Sequence, residues 1–298
     1  MEPIVHIEME NASEFMNIVR LLRCVRDEVP LIFTETGMFT MFISTDRVQA
    51  LVWTLNEHDR GILTYDSDVY AVGVEVDEIL SRIRRATKSE NVRIRVFPYR
   101  KTRKRVILPK LELGFGVTSF SRTYTFDCVT PDGLKGYGKR EIRKFIREKE
   151  GLVKSLIKLK KRARRCVEIE VDTRVLGDII DDINVFSKPD WSGNSSLSIE
   201  ARDYDVIFES TVGEYGVYHK YRYVLSLDSG LIDFRKYVKR PIRGRYGILY
   251  LKGVVRQLKT LSETVKIYFG RVFGKVCPLI LETTDPNILI AVSPRIED

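Results

Sequence analysis

The most suggestive chemical motif in the chain is a glycine-rich segment before a predicted helix. Gly133-Leu-Lys-Gly-Tyr-Gly-Lys139 matches the GxxxxGK spacing of a phosphate-binding loop. Such a loop needs Ser or Thr at the next position to hold magnesium, and that position is Arg140. No hydrophobic strand ending in a metal-binding Asp follows convincingly. We therefore interpret the match as chance.

Carboxylate pairs and metal-ligating side chains give no better candidate. Asp181 and Asp182 are neighbours on a predicted helix, where adjacent residues point apart, so they do not form an acid–base couple. The three histidines have no ligand spacing with one another or with cysteine. The cysteines are scattered among apolar neighbours at Cys24, Cys128, Cys166 and Cys277. We expect buried reduced thiols, no metal, no cofactor and no enzymatic activity.

Positive charge is concentrated in one segment of the chain. Residues 135–165 hold 14 Lys/Arg and three acids, although the net charge of the whole chain is only +9. The rest of the chain is therefore slightly acidic. After turn residues, this segment is a predicted amphipathic helix from Lys139 to about Arg164. The pattern excludes a uniformly basic nucleic-acid-binding protein and predicts one basic arm.

Composition narrows the class of protein further. No apolar run approaches the roughly 20 residues needed to span a bilayer, so no membrane association is expected. The first 15 residues carry acids and no apolar core, so no secretory signal is expected. Only two glutamines occur beside 31% charged residues, which favours a thermophilic source.

A helix-then-strand unit occurs twice. In each copy apolar residues recur at i, i+3, i+4 and i+7, and the following segment alternates apolar and polar residues. A short predicted strand precedes each copy. The segments are Tyr70–Val74, Val76–Ala86 and Glu90–Val96 in the first copy, and Tyr246–Tyr250, Leu251–Leu261 and Glu263–Phe269 in the second.

A fainter repeat opens each half of the chain. Asn11–Asp27 and Asp172–Phe186 are predicted amphipathic helices, with N-caps at Asn11 or Ser13 and at Asp172 or Thr173. Alternating strands follow each of them, without a βαβ rhythm. The fold class is therefore α+β, with antiparallel sheets faced by two helices in each half. The predicted organisation is an N-terminal domain (1–128), a linker with a basic helical insertion (129–165) and a C-terminal domain (166–298).

Several motifs carry a resemblance to a known family. They are Gly37–Leu51, Tyr65–Val76, Cys277–Glu282 and Ile288–Asp298, the last ending in Pro-Arg-Ile-Glu-Asp. On these residues the chain resembles the proliferating cell nuclear antigen (PCNA) family of DNA sliding clamps, over roughly 3–128 and 166–298. The resemblance implies two similar clamp domains, with antiparallel sheets outside and two helices per domain inside.

The resemblance also implies a function. Three such subunits would form a ring around double-stranded DNA, held by topology rather than tight binding. The implied partners are DNA polymerase, a clamp loader, other replication and repair proteins with a peptide motif, and other clamp subunits in a homotrimer or heterotrimer. The protein would be cytoplasmic and nucleoid-associated in an archaeon, or nuclear in a eukaryote.

DNA-facing residues are expected on the polar faces of the helices: Arg20, Arg23, Arg26, Arg82, Arg84, Arg85, Lys88, Lys252, Arg256 and Lys259. One helix departs from the family, because Asp178, Asp181 and Asp182 give it an acidic face. We interpret this face as weakening the grip on DNA, or as a sign of a heterotrimer.

Two further surfaces follow from the resemblance. The partner-peptide pocket maps onto Ile43, Arg47, Val48, Pro278, Ala291, Ser293, Pro294 and Arg295. Ala291 stands where the family usually has an aromatic residue, and Ile43 and Val48 are alternatively core residues. A subunit interface would pair the strand Ser119–Cys128 with Tyr218–Ser226 of a neighbour, unless the first is an internal strand. The interface residues are Arg122, Tyr124, Tyr221 and Tyr223.

The basic insertion has no counterpart in the family's shorter, extended linker. We hypothesise an accessory nucleic-acid contact; the alternatives are a solvated helix packed on the ring or an arm for one partner. Its residues are Lys139, Arg140, Arg143, Lys144, Arg147, Lys158, Lys160, Lys161, Arg162, Arg164 and Arg165. The alternative function is a clamp-fold DNA-binding adaptor or checkpoint-type subunit that acts through this arm.

Overall fold

The computed structural model describes residues 2–34, 37–56, 64–65, 69–83, 85–102, 105–117, 120–186, 196–214, 217–234, 238–272 and 275–295. The chain divides into two compact units. Unit 1 is Met1–Ile43 with Leu51–Val153, and unit 2 is Ser44–Ala50 with Lys154–Asp298. Within the described ranges, every helix is too short or too polar to cross a membrane.

Unit 1 contains eleven strands and two short helices among its described residues. In chain order they are β1 (Val5–Met9), α1 (Ala12–Val25), β2 (Glu28–Thr34), β3 (Gly37–Ile43), β4 (Gln49–Asn56), β5 (Thr64–Tyr65), β6 (Val69–Glu75), α2 (Val76–Arg82), β7 (Asn91–Phe97), β8 (Arg100–Lys101), β9 (Val106–Ile107), β10 (Lys110–Val117) and β11 (Phe120–Asp127). Helix α3 (Lys139–Arg164) follows them.

Unit 2 repeats this order of elements. It contains β12 (Val167–Asp172), α4 (Thr173–Phe186), β13 (Ser196–Asp203), β14 (Asp205–Glu214), β15 (Val217–Ser226), a 3₁₀ turn (Leu227–Ser229), β16 (Ile232–Phe234), β17 (Val238–Gly247), α5 (Ile248–Leu261), β18 (Thr264–Phe269), β19 (Arg271–Val272), β20 (Lys275–Val276), β21 (Leu279–Thr283) and β22 (Asn287–Val292).

The sheets of the two units correspond strand for strand. One sheet has the order β11-β10-β7-β1-β5 in unit 1 and β22-β21-β18-β12-β16 in unit 2. The other has the order β4-β3-β2-β6 in unit 1 and β15-β14-β13-β17 in unit 2. The hairpins β8–β9 and β19–β20 also match, and every pairing whose register is described is antiparallel. The repeat and the α+β class predicted from the sequence are confirmed.

The alternation of residue types explains how the strands are placed. In β7, Val92, Ile94 and Val96 are buried, whereas Arg93 and Arg95 between them are half-exposed. Strand β7 therefore turns one face to the core of unit 1, where α1 contributes further buried residues at helical spacing. Strand β18 repeats the pattern in unit 2 with Val265 and Ile267 buried.

Side-chain caps decide where two of the predicted helices begin. The Asn11 side chain accepts a hydrogen bond from the backbone N–H of Glu14 at 3.2 Å, so Asn11 caps α1. The Asp172 carboxylate accepts from the backbone N–H of Arg174 at 2.7 Å and caps α4. Both residues were among the predicted alternatives.

Two predicted boundaries are wrong. Helix α2 ends at Arg82 rather than Ala86, because the chain turns at Ile83 and the Arg85 carbonyl accepts a hydrogen bond from the Arg122 guanidinium at 3.2 Å. Helix α5 begins at Ile248, within the predicted strand Tyr246–Tyr250. Ile248 is buried and extends the apolar stripe one turn back from Leu251.

Candidate functional site

The polar faces of α1 and α2 are partly neutralised by ion pairs within unit 1. The Arg23 guanidinium contacts both Asp27 and Asp77, and the hydrogen bond to Asp77 raises the pKa of Arg23. Arg82 pairs with Glu78 and donates to the Thr125 carbonyl at 3.1 Å. These arginines hold the two helices to each other and to β11, so less of their charge is open to an external ligand.

In unit 2, α5 and α4 pair opposite charges. The Lys259 ammonium lies 2.7 Å from the Asp178 carboxylate. Gly177 makes this approach possible, since a Cβ there would lie 2.4 Å from Cδ of Lys259. Asp182 accepts a hydrogen bond from the Tyr223 hydroxyl at 2.9 Å. The acidic face predicted for this helix is therefore engaged by neighbours at two of its three carboxylates.

The predicted DNA-facing residues differ in exposure. Arg20 and Arg256 are exposed on α1 and α5, Lys252 is half-buried, and Arg85 and Lys88 are exposed in the turn after α2. Arg26 is half-buried beside Asp132 at 3.4 Å, and Arg84 lies outside the described residues. Helices α1, α2, α4 and α5 together carry seven Lys/Arg and six Asp/Glu, so these four helices are close to neutral.

Helix α3 has the opposite balance, with twelve Lys/Arg and three Glu in 26 residues. Its predicted extent, Lys139 to Arg164, is confirmed. At about 100° per residue, the positions on one arc of about 100° are Arg140, Arg143, Lys144, Arg147, Gly151, Lys154, Lys158, Lys161 and Arg162. We call the eight Lys/Arg of this arc the cationic stripe. All eight side chains are exposed.

The opposite face of α3 is apolar. Its first half contributes Ile142, Phe145 and Ile146 to the core of unit 1, and its second half contributes Leu156 and Ala163 to the core of unit 2, all buried. The stripe therefore points away from the residues that hold the helix in place.

Four cations of α3 lie off the stripe, and two of them, Lys160 and Arg164, anchor the helix in unit 2. In unit 2, the Lys160 ammonium contacts the Glu282 carboxylate at 2.6 Å and lies 5.9 Å from the centroid of the Tyr268 ring. The Tyr268 hydroxyl donates to the other Glu282 oxygen at 2.6 Å. Burial is the main cause of the raised pKa of Tyr268, and this hydrogen bond raises the pKa further. Arg164 pairs with the buried Glu168 at 2.7 Å.

In unit 1, the Lys149 ammonium lies 5.1 Å from the Phe145 ring centroid, and burial lowers its pKa. Within the predicted basic arm, Lys160 and Arg164 thus help to hold α3 in unit 2. Lys154, which the sequence prediction omitted, belongs to the stripe; its angular position on the helix was the signal that would have found it.

The stripe is unfavourable for the helix itself. Four like-charged pairs are spaced i, i+4, the first being Arg140–Lys144 and the last Lys158–Arg162. Each such pair destabilises a helix by about 0.2–0.5 kcal/mol, and therefore about 1–2 kcal/mol in total. Gly151 at its centre costs about 1 kcal/mol relative to Ala. Packing of the apolar face offsets these terms.

The glycine-rich segment before α3 forms a turn, not a phosphate loop after a parallel strand. It follows the antiparallel strand β11, and Tyr137 stacks between Tyr70 and Tyr99 with centroids 6.1 and 5.0 Å away. The Tyr137 hydroxyl donates to the Val129 carbonyl at 3.2 Å. This segment therefore positions the start of α3.

The loop Ser44–Gln49 of the predicted partner pocket is closed by its own hydrogen bonds. The backbone N–H of Ser44 donates to the Gln49 carbonyl at 2.9 Å, and the backbone N–H of Gln49 donates to the Ser44 hydroxyl at 2.9 Å. Arg47 is exposed, with a left-handed φ of 60°. This closure holds Arg47 and Val48 at the tip of the loop.

The same loop is bound to α5 and to the C-terminal segment of unit 2. The Ser293 N–H donates to the Val48 carbonyl at 2.8 Å, and the Gln49 side-chain amide donates to the Tyr250 carbonyl at 3.0 Å. The structure thus brings Arg47 and Val48 next to the Ser293–Arg295 segment. Pro278 is half-buried and Ala291 is buried at the ends of neighbouring strands, while Ile43 belongs to unit 1.

Asp46 connects the Ser44–Gln49 loop to α5, and the sequence prediction did not name this residue. Its carboxylate accepts from the hydroxyls of Ser44 and Tyr250 and from the Val48 N–H. Burial acts to raise the pKa of Asp46, but these three hydrogen bonds outweigh it and the pKa is lowered. The hydrogen bond from Tyr250 joins positions 204 residues apart, so no local sequence pattern could have predicted it.

Both strands of the predicted subunit interface lie at sheet edges. Among the described residues, β11 pairs only with β10, and β15 pairs only with β14. The alternative of an internal strand is therefore wrong for the described strand β11 (Phe120–Asp127), and Ser119 lies outside the described residues. Each edge leaves one row of backbone N–H and C=O groups available for another strand.

The predicted interface residues already make contacts within the chain. Arg122 is paired with the mostly buried Glu90, and Tyr124 packs edge-on against Phe115 at 6.2 Å. Tyr221 and Tyr223 are half-buried on β15. These side chains consolidate the edges, and the exposed Val224, which follows Tyr223 in β15, offers apolar surface to a neighbour.

The cysteines meet the sequence expectation only in part. Cys128 and Cys277 are buried and form no disulfide, and burial raises the pKa of Cys128 to about 12. Cys24 is exposed and Cys166 half-buried, so the expectation of a buried thiol is wrong for both. Cys24 lies on the polar side of α1, and Cys166 lies in the short connection after α3. The described part of the chain contains no cluster of metal-ligating side chains.

Comparisons with known proteins add a full-length likeness of fold. No family model matches the sequence, and no curated protein matches it. PCNA from Thermococcus kodakaraensis superposes with a TM-score of 0.69 at 16% identity, over 98% of this chain and 100% of that one. The PCNA2–PCNA3 complex of Sulfolobus tokodaii gives a TM-score of 0.67 at 18% identity, over the same shares. The chain therefore has the PCNA sliding-clamp fold.

Proposed function

We propose that this chain, which has the fold of the PCNA sliding clamps, is one subunit of a trimeric ring that encircles duplex DNA. The ring would tether DNA polymerase and other replication and repair proteins. The observation that carries the proposal is the strand-for-strand repeat of two units over the full length of the solved clamps. A protein of this kind acts as a scaffold and needs no catalytic group.

The free edges of β11 and β15 supply a means of closing the ring. The eight residues of β11 on one subunit would pair with the ten residues of β15 on the next, which extends the sheets by main-chain hydrogen bonds. A contact that uses a different patch on each subunit generates a ring when the rotation closes. The exposed Val224 would be covered by the added strand.

The four short helices are close to neutral, which is consistent with a ring that stays on DNA because it surrounds it rather than because it binds it tightly. A ring that surrounds DNA does not need strong phosphate contacts, and weak, sequence-independent contacts allow sliding. Arg20, Lys252 and Arg256 are the candidates for such contacts. Partner peptides would dock at the Ser44–Gln49 loop and the Ser293–Arg295 segment, the region to which the resemblance assigns the pocket.

Light scattering tests the ring. We expect a mass of about three times 34.6 kDa. Val224→Lys should dissociate the assembly, because a charge on an edge strand blocks pairing. Val106→Lys is the matched control, since Val106 is equally apolar and exposed but lies on β9, outside both edges. A persistent monomer in the parent protein contradicts the ring and favours a DNA-binding adaptor that acts through α3.

Encirclement needs a separate measurement. Protein assembled on a nicked circular plasmid should remain bound during gel filtration and should be lost when the plasmid is linearised, because a ring slides off an end. Equal retention on circular and linear DNA would contradict encirclement.

A further inference from the structure

The cationic stripe of α3 is a dense row of positive charge that lies outside the four short helices α1, α2, α4 and α5. It extends over about 33 Å from Arg140 to Arg162 at 1.5 Å per residue. Every position on its arc is Lys or Arg except Gly151. The apolar face of α3 is buried, and Lys160 and Arg164 pair with Glu282 and Glu168; the stripe lies on the opposite face, with all eight side chains exposed.

We propose that the cationic stripe binds the phosphate backbone of duplex DNA, as a second nucleic-acid surface outside the four short helices. The charge is of one sign: the three acids of α3, Glu141, Glu148 and Glu150, all fall outside the arc. A solvated helix normally intersperses both signs, and a row of like charges weakens the helix unless an anion neutralises it. DNA supplies about one negative charge per 1.7 Å of its axis.

The composition of the stripe distinguishes phosphate from bases. No aromatic side chain lies on the arc, and Phe145, the only aromatic residue of α3, is buried. Proteins that bind single strands combine a basic groove with aromatic rings on which the bases stack, and the stripe offers no such ring, so it is better suited to the regular backbone of a duplex. Its side chains are all Lys and Arg on one exposed helix face, and contacts of such cations to phosphate oxygens carry no sequence information, so its binding should be independent of sequence.

Gly151 is the position at which a DNA strand could come closest to the backbone of α3. It lies on the arc between the cations of the first and second halves of α3, and a Cβ there would meet nothing within 4 Å. A missing side chain leaves room for a phosphate strand to approach the helix backbone, flanked by Arg147 and Lys154.

The test compares two variants with the same loss of charge. The stripe variant carries Arg140→Gln, Arg147→Gln, Lys158→Gln and Arg162→Gln. The control variant carries Arg100→Gln, Lys101→Gln, Arg105→Gln and Lys275→Gln, which remove exposed cations outside α3. Glutamine is a good helix former, so α3 should be retained, as circular dichroism will show.

The measurement is the affinity for a fluorescent 30-bp duplex of arbitrary sequence between 50 and 200 mM salt. Each lost phosphate contact lowers the slope of log K against log salt by about 0.9, so the stripe variant should lose up to about 3.6. Its binding at 50 mM salt should weaken ~10-fold or more, while the control variant changes little. Exchanging Arg for Lys and Lys for Arg at the same four positions should keep the parent slope.

Three results would overturn the inference: an unchanged slope in the stripe variant, an equal loss in the control variant, or tighter binding to single-stranded DNA of the same length. If the stripe instead served an acidic protein, the first of these would be seen. The inference does not rest on ring formation. A monomeric parent whose slope still depends on the stripe refutes the ring alone, and a trimer retained on circular DNA with an unchanged slope refutes the stripe alone.

Discussion

Gly73→Ala is the sharpest test of how the segment before α3 is attached to unit 1. Gly73 lies in β6, where its N–H donates to the Val129 carbonyl at 2.9 Å and its carbonyl accepts from the Val129 N–H at 3.0 Å. A Cβ at Gly73 would lie 2.8 Å from Cγ2 and 2.9 Å from the carbonyl oxygen of Val129. Neither atom is at the end of a flexible side chain, so the bridge must open or the strand must shift.

The magnitude follows from the two alternatives. Opening the bridge loses two backbone hydrogen bonds at about 1 kcal/mol each. Keeping it closed imposes overpacking strain of about 1–3 kcal/mol. Because the protein takes the less costly alternative, we expect Gly73→Ala to lower the free energy of unfolding by about 1–2 kcal/mol, measured by urea denaturation. Faster hydrogen exchange at the Val129 amide would locate the loss at the bridge.

Gly114→Ala is the matched control. Gly114 is also a buried strand glycine of unit 1, but the nearest atom to its Cβ is Cβ of Arg93 at 3.7 Å, an ordinary contact. Because alanine restricts the unfolded chain, this change should be neutral or stabilising by about 0.5 kcal/mol. If the two variants agreed within about 0.5 kcal/mol, the reasoning about Gly73 would be refuted.

Two further predictions concern Asp46 and Glu282, two carboxylates whose hydrogen bonds and ion pairs stabilise unit 2. The lowered pKa of Asp46 contributes stability that is present above its unfolded value of 3.8 and is lost as the pH falls through the lower folded value. Tyr250→Phe removes one hydrogen bond to Asp46, so an acid titration of unfolding should show a smaller loss of stability; an unchanged titration argues against this role. Glu282→Gln leaves the Lys160 ammonium without its counter-charge and should destabilise unit 2 by about 1–2 kcal/mol. Hydrogen exchange in residues 154–164 should then accelerate, whereas the exposed control Glu263→Gln should leave it unchanged.

Local patterns in the sequence predicted much of the fold. The 3.6-residue periodicity located α1, α3 and α4 almost to the residue, and the alternation after α2 and α5 located β7 and β18. Predictions failed where a tertiary contact replaced a local one. Helix α2 ends early because the Arg122 guanidinium, 37 residues away in the chain, binds the Arg85 carbonyl.

The charge distribution was likewise predicted in part by local sequence and decided in part by tertiary contacts. By itself, the sequence determined that the excess of cations lies in 135–165 and that α3 has one basic face, because helical spacing depends only on neighbouring residues. Only the tertiary structure decided which cations are already used: Lys160 by Glu282, Lys259 by Asp178 and Arg23 by Asp77. Those partners are 54 to 122 residues apart, and a through-space pairing leaves no periodic trace in the sequence.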